Sequence, residues 1–105
     1  MPNVSEVRPK IWDENTIVDL YDDGEYSAIW GVRENEGKRS LGVRWNGSGE
    51  YPGYPNQGKN PLWYSEPRFL EESLLHALLA KVLSNKNLSR REEFMENILS
   101  ALEEC

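Results

Sequence analysis

His76 is the only histidine in the chain, and Glu72 stands one helical turn before it. A carboxylate at that spacing can pair with an imidazole and raise its proton affinity. General-base chemistry also needs a nucleophile within reach, and the sequence offers none. Ser40, Ser48 and Ser65 lack the strand–turn–helix setting of an activated serine. His76 therefore reads as a boundary residue of a helix interface. A second candidate is the carboxylate group Asp19, Asp22, Asp23 and Glu25. A glycosidic acid pair requires a defined carboxylate separation, and the spacing does not follow a calcium loop. A solvated hairpin rim accounts for these residues. One cysteine, Cys105, with one histidine gives no disulfide and no metal-ligand spacing; Cys105 reads as an inert tail residue. Gly58-Lys59 is followed by Asn60 and not by the Ser or Thr of a phosphate loop, and no helix starts there. We expect no catalytic residue, no metal and no cofactor.

The elements around these residues show two periodicities. Ile17–Tyr21 is rich in β-branched and aromatic residues and reads as a strand. Asp23-Gly24 is a two-residue hairpin signal, which would set Tyr21 opposite Tyr26, Asp19 opposite Ala28 and Ile17 opposite Trp30. Asp19 then falls on the core face, where it lies at the sheet margin or meets Arg44 or Arg68. Strands over 25–34 and 39–46 follow, joined through the turn at 35–38. The apolar pattern sets Val32 against Leu41, Trp30 against Val43 and Ala28 against Trp45. The expected core face is Ile17, Tyr21, Tyr26, Ala28, Trp30, Val32, Leu41, Val43 and Trp45.

The same register puts Gly31 opposite Gly42 on the other face, flanked by Ile29, Arg33, Ser40 and Arg44. Two opposed glycines either leave a trough where a ligand or another backbone approaches, or relieve curvature beside Trp30 and Trp45. Residues 47–61 form a Gly- and Pro-rich loop of a length that is uncommon without function or close packing, and Tyr51 and Tyr54 can pin it to the sheet. The candidate ligand-binding residues are Gly31, Arg33, Gly42, Arg44, Tyr51 and Tyr54.

A short fourth strand, Leu62–Ser65, leads into a helix over about 67–84, with Pro67 in its first turn. Leu70, Leu74, Ala77, Leu78 and Val82 make a sheet-facing stripe. Leu75, Leu79 and Leu83 widen it beyond what one sheet face needs. Ser89 and Glu92 form a capping box for a last helix that carries Phe94, Met95, Ile98, Leu99 and Leu102. The fold class is α+β: an antiparallel meander of about four strands followed by two C-terminal helices packed on one face. Residues 1–15 read as an N-terminal arm with Trp12 docked, and 16–105 as one domain, close to the common domain size.

The run Trp30-Gly31, Leu41–Gly47, Tyr54-Pro55 and Pro61-Leu-Trp63, with the leucine-rich helix after it, resembles short uncharacterised bacterial proteins carried by integron gene cassettes. The resemblance spans residues 26–83. It implies a compact α+β accessory protein of a mobile genetic element, often a homo-oligomer. Leu41–Gly47 also resembles the Trp-Asn-Gly strand of single-stranded-DNA-binding proteins of the positive-cofactor type.

Charge weighs against the second likeness. The net charge of −6 opposes nonspecific binding to nucleic acid and to anionic membranes. A Trp45 buried in the sheet has no face free for a base. No apolar run reaches the roughly 18 residues of a membrane span, and no secretory leader is visible. A lone cysteine fits the cytoplasm. Four tryptophans and five tyrosines are a heavy aromatic load for 105 residues, and aromatics concentrate at association surfaces.

The reading that follows is a cytoplasmic, non-enzymatic binding or interaction module acting as a homodimer. Its interface residues would be Leu75, Leu79, Leu83, Phe94 and Met95. The alternatives are a single-stranded nucleic-acid-binding or regulatory protein using a sheet face, and a small-molecule binder or enzyme with the 47–61 loop as a lid.

Overall fold

The computed structural model describes residues 12–33, 36–58 and 60–105. Most of the expected arm, including Ile11, lies outside the described residues, as do Glu34, Asn35 and Lys59. A 3-10 turn at Glu14–Thr16 precedes strands β1 (Val18–Asp22), β2 (Tyr26–Val32) and β3 (Arg39–Trp45). Two short strands, β4 (Asn56–Gln57) and β5 (Asn60–Pro61), pair as a small hairpin inside the long loop. Strand β6 (Tyr64–Ser65) completes a four-stranded antiparallel sheet of order β1-β2-β3-β6. Helices α1 (Arg68–Ser84) and α2 (Arg91–Glu104) follow. This is the α+β fold expected from the sequence.

Both faces of the sheet are covered. Leu20, Tyr21, Ala28, Trp30, Leu41 and Val43 pack against Leu75, Leu78 and Val82 of α1 and Phe94, Ile98 and Ala101 of α2. The opposite face carries a smaller cluster of Trp12, Ile29 and Trp63, with Ile17 against it. The expected docking of Trp12 is therefore seen. It is 6% exposed, and the Asp13 amide donates to the Val32 carbonyl at 2.8 Å.

The register of β2 with β3 departs from expectation in a way that leaves their faces intact, whereas β1 slips by one residue, with Val18 opposite Trp30, and Ile17 moves from the expected core face to the opposite one. Trp30 pairs with Leu41, Ala28 with Val43 and Tyr26 with Trp45. The shift is two residues along β3, so every side chain keeps its face. Gly31 lies opposite Ser40 and Gly42 opposite Ile29. Arg33, one residue past the last β2–β3 pair of Val32 with Arg39, bridges to Trp12. At the first hairpin the turn is longer than two residues, with Asp22 opposite Ser27 and Tyr21 opposite Ala28. A bulge between Asp19 and Tyr21 turns both Leu20 and Tyr21 into the core, at the cost of one regular ladder step.

Helix α1 is rotated by about one residue from the expected stripe. Its buried residues are Glu71, Leu75, Leu78 and Val82, while Leu70 and Ala77 are exposed. The cause is electrostatic. Strand β6 pairs only with Gly42 and Val43, so the outer edge of β3 at Leu41 has no strand partner. The Glu71 carboxylate accepts from the Leu41 amide at 3.1 Å, and the Glu66 amide donates to the Leu41 carbonyl at 2.9 Å. A helix turned to deliver Glu71 cannot also face the sheet with Leu70.

The capping box does not form. Residue Arg90 precedes α2 in the left-handed region, at φ 62°, and no side chain caps the helix. Its guanidinium spans Asp19 at 2.9 Å and Glu93 at 2.5 Å and lies over the Phe94 ring. Asp19 thus meets neither Arg44 nor Arg68.

Glu71→Ala should strand the buried Leu41 amide and lower the unfolding free energy by about 1–3 kcal/mol. Glu71→Gln keeps an oxygen there and should recover most of that loss; urea titration of the two variants checks both.

Candidate functional site

The expected trough on the second sheet face is filled. A Cβ on Gly42 would lie 2.9 Å from Trp12, and a Cβ on Gly31 would meet Ile17. Both glycines are sites of close approach, but by the protein's own N-terminal segment. Arg33 is half-buried, with its guanidinium 5.9 Å from the Trp12 ring centroid.

Residue Arg44 is 1% exposed. It lies in β3 beside the start of the long loop. Its Nη1 donates to the Leu62 carbonyl at 2.8 Å, and its Nη2 donates to the Pro52 carbonyl. The group lies 5.9 Å from the Trp63 ring centroid. No carboxylate pairs with it among the described residues. Burial pushes its proton affinity below the usual guanidinium range, with Tyr51 opposing. Gly53, at φ +84°, makes room for the group, since a Cβ there would collide with the Trp45 carbonyl and crowd Nη2. Residue Arg44 is thus an anchor for the loop and is not presented to a ligand.

The anchored loop returns along the free end of β3. The Trp45 amide donates to the Tyr54 carbonyl at 2.7 Å, and the Tyr54 amide donates to the Trp45 carbonyl at 3.0 Å. The bond between Tyr54 and Pro55 is cis. Tyr26 is opposite Trp45 on the other side, and Tyr64 is opposite Val43. Directly opposed residues share a sheet face. Tyr26, Trp45 and Tyr54 therefore form a row across three adjacent segments, with Tyr64 beside it, all on the helix side of the sheet.

Here Trp45 is 55% exposed, Tyr54 62% and Tyr64 49%. This corrects the expectation that Trp45 is a core residue. Its parity is right, but the helices do not reach it. Helix α1 runs from Leu41, held by Glu71, toward the first hairpin, where Lys81 faces Asp23. That diagonal leaves the corner between β3 and β6 open. The Tyr26 and Trp45 rings meet at 4.7 Å and 65°, a corner and not a flat stack. Tyr51 is also exposed, where the loop turns back on Ser48.

Two adjoining clefts open here. One, of about 330 Å³, is lined by Tyr26, Val43, Trp45, Tyr54, Tyr64 and Glu66, with Pro55 and Arg44. The other, of about 480 Å³, runs between the sheet and α1 and includes Asp23, Glu25, Leu74 and Lys81. Tyr26, Val43, Trp45 and Glu66 belong to both. Burial, then the Glu66 carboxylate, raises the proton affinity of the Tyr26 hydroxyl. Tyr21 donates to Asp23 at 3.0 Å. Burial, with that bond and the carboxylates of Asp23 and Asp22, pushes it from its ordinary 10.0 up to about 12. Burial works to raise the Asp23 carboxyl, but the amides of Tyr26 and Glu25 and the Tyr21 hydroxyl hold it below the usual range.

A larger cleft, about 690 Å³, lies at the other end, under Phe69 and between Arg39, Arg68 and Glu104. Its arginines are already paired: Arg39 meets Glu104 at 3.2 Å, and Arg68 meets Glu36 at 3.2 Å. Cys105 at its rim is exposed. Burial and the carboxylates of Glu71, Glu72 and Glu104 push its thiol up, which disfavours the reactive thiolate. His76 is exposed on α1. Among the described residues, no group of three or more His, Cys, Asp or Glu side chains could hold a metal ion.

The expected interface residues divide. Leu75 and Phe94 are fully buried core and have no surface to offer. Leu79 and Met95 are partly buried against that core. Leu83 is exposed, as is Leu99 on α2. The sequence reading missed the aromatic row because alternation gives a side chain's face but not how far a helix extends over it. The signal available was the run of Tyr and Pro residues just beyond Trp45. Comparison with protein-family models, with curated proteins and with solved structures finds no match.

Arg44→Met should strand the Pro52 and Leu62 carbonyls and cost about 2–4 kcal/mol, read as a lower urea midpoint. Tyr21 gives a sign-definite pH effect. Between pH 10.0 and about 12 the folded protein holds a proton that the unfolded chain has lost. Its contribution to stability is complete below that window and falls as pH rises through it. Tyr21→Phe should flatten this alkaline decline in a series of unfolding titrations.

Proposed function

We propose that this chain is a non-enzymatic binding module and that its recognition surface is the row Tyr26, Trp45 and Tyr54 with Tyr64. The observation that carries this reading is a contrast among the tryptophans. Trp12, Trp30 and Trp63 are 6% or less exposed, whereas Trp45 is 55% exposed with two exposed tyrosines beside it. A fold that buries three tryptophans has the means to bury a fourth. A clustered aromatic surface of this kind is the informative exception to ordinary surface composition. Two clefts adjoin it, both in the size range of ligand sites.

The reading includes homodimer formation through the outer face of the helices. Its support is that Leu83 and Leu99 are about half exposed, while Leu79, Met95 and Leu102 are only partly covered. It also takes the protein as a cytoplasmic bacterial accessory protein, on the motif likeness over residues 26–83 and the single cysteine. No helix among the described residues is long and apolar enough to cross a membrane. The nucleic-acid alternative loses the surface it was built on. Arg44 is buried, and Trp12 and Trp63 cover that face.

Amide and indole NMR shifts, recorded against mixed peptide and small-molecule libraries, test the recognition surface. Responses should centre on Trp45, Tyr54 and Tyr64 and vanish in Trp45→Ala. That variant should unfold within roughly 0.5 kcal/mol of the parent, as exposed substitutions do. Responses centred elsewhere would sink the reading. Sedimentation should give twice the chain mass, and Leu83→Glu with Leu99→Glu should return it to one chain; a monomeric parent would remove the dimer.

A further inference from the structure

The geometry points to an alkylated ammonium group as the ligand of the cleft between Tyr26, Trp45, Tyr54 and Tyr64, with Glu66 as its counter-charge. The assignment rests on the binding surface proposed above and specifies its chemistry.

Aromatic faces carry partial negative charge, and they attract cations held within about 6 Å of the ring. Here the rings are not coplanar. Tyr26 and Trp45 stand at 65° with centroids 4.7 Å apart, so they form two walls of a corner. Tyr54, hydrogen-bonded to Trp45 through both backbone groups, extends the row along the strand neighbour. Tyr64, opposite Val43, stands beside it. Adjacent strands are about 5 Å apart, so one cationic head can lie within reach of several rings at once.

Charge selects the same ligand. Glu66 lines both clefts, and among the described residues no cation pairs with it. Its carboxylate is close enough to Tyr26 to raise that hydroxyl's proton affinity. Asp23 and Glu25 stand further along the larger cleft, against one cation, Lys81. Arg44 contributes to the lining, but its guanidinium is engaged with the Pro52 and Leu62 carbonyls. A phosphate or carboxylate ligand would meet repulsion, while a cation meets a free carboxylate and a ring surface.

Alkylation follows from the balance of ring to acceptor. A primary ammonium has three donors to satisfy and is strongly hydrated. This cleft offers it one carboxylate and otherwise aromatic faces. A trimethylammonium head has no N–H donors, and its methyl groups bury well against rings. A free small molecule and a trimethylated lysine both carry such a head; the chemistry of the cleft is shared.

The test is an NMR titration of the full chain with choline, with N-acetyl-trimethyllysine methylamide, and with 3,3-dimethylbutanol, the neutral isostere of choline. Both cations should shift the Trp45 indole and the Tyr54 and Tyr64 amides. The neutral alcohol should bind roughly fivefold to tenfold more weakly. Glu66→Gln should weaken the cations severalfold and leave the alcohol unchanged, and its unfolding midpoint verifies that it is folded. A much tighter trimethyllysine compound assigns the head to a peptide, and equal Kd values assign it to the head group alone; both support the proposal. Equal binding of choline and the alcohol overturns the ammonium assignment and leaves the aromatic surface standing. No shift at the row with these probes, while library ligands still bind there, overturns the ammonium assignment alone. No shift at the row with any ligand overturns both.

Discussion

The buried guanidinium of Arg44 is the interaction on which the rest of the structure turns. It donates to the Leu62 and Pro52 carbonyls, so one side chain fixes two points ten residues apart in a loop with little regular structure of its own. Between those points the chain must pass Tyr54 along Trp45, and just beyond them it adds β6 with Tyr64. Taking a guanidinium out of water costs several kcal/mol. Hydrogen bonds from a charged donor return about 1.5–3 kcal/mol each. With two such bonds and Nε left without a partner, the anchor alone is close to neutral. What tips the balance is the apolar cover it organises, namely Trp63 and Trp12 on the same face. Fully burying an aromatic side chain removes about 150–250 Å² from water, a gain of several kcal/mol.

A second polar group completes the frame from the other side. Strand β6 is two residues long, too short to satisfy the edge of β3. Glu71 reaches from α1 to take the Leu41 amide, and this sets the rotation of the helix. Once rotated, α1 presents Leu75, Leu78 and Val82 to the sheet and crosses toward the first hairpin. The corner at Trp45 lies outside its path. The exposed aromatic row is thus a consequence of two buried polar side chains: Arg44 brings the tyrosines to the strand, and Glu71 directs the helix away from them.

This explains which parts of the fold could be read in the sequence. Element types and the faces of β2 and β3 were legible, because apolar alternation reports parity and parity survives a two-residue slip; the one-residue slip in β1 put Ile17 on the other face. Trp30, Ala28, Leu41 and Val43 lie where alternation places them. The register itself was not legible, since a two-residue slip preserves every face of β2 and β3 and alternation does not distinguish the two pairings. Nor was the helix rotation, because a glutamate used as a backbone acceptor looks like any surface glutamate. The capping pattern at Ser89 and Glu92 is overridden by Arg90, held between Asp19 and Glu93. Of the residues singled out for binding, Tyr54 and Arg44 line the cleft, Arg44 with its guanidinium engaged by the loop, whereas Gly31 and Gly42 are filled against by Ile17 and Trp12. The helix rotation and the lost cap share one cause: in each a polar side chain meets a group far away in sequence, Glu71 the Leu41 amide and Arg90 the Asp19 carboxylate, and hydrophobic patterning carries no record of such pairs.

On the proposed reading, the acidic fringe would give the exposed row its selectivity. Four aromatics on an open sheet corner are a hazard, because two copies could stack there. Glu25 and Glu66 beside the row, on a chain of net charge −6, set like charges against each other in any such encounter. The same carboxylates repel the phosphates of a nucleic acid, for which exposed aromatics would otherwise be a suitable stacking surface. One arrangement therefore works against self-stacking and against anionic ligands, and leaves favourable only a partner that brings positive charge to the rings. The apolar residues left on the outer helix face, Leu83 and Leu99, are on α1 and α2 and apart from that corner. Self-association through the helices and recognition through the sheet corner are thus compatible in one small domain, because the two surfaces do not compete for the same side chains.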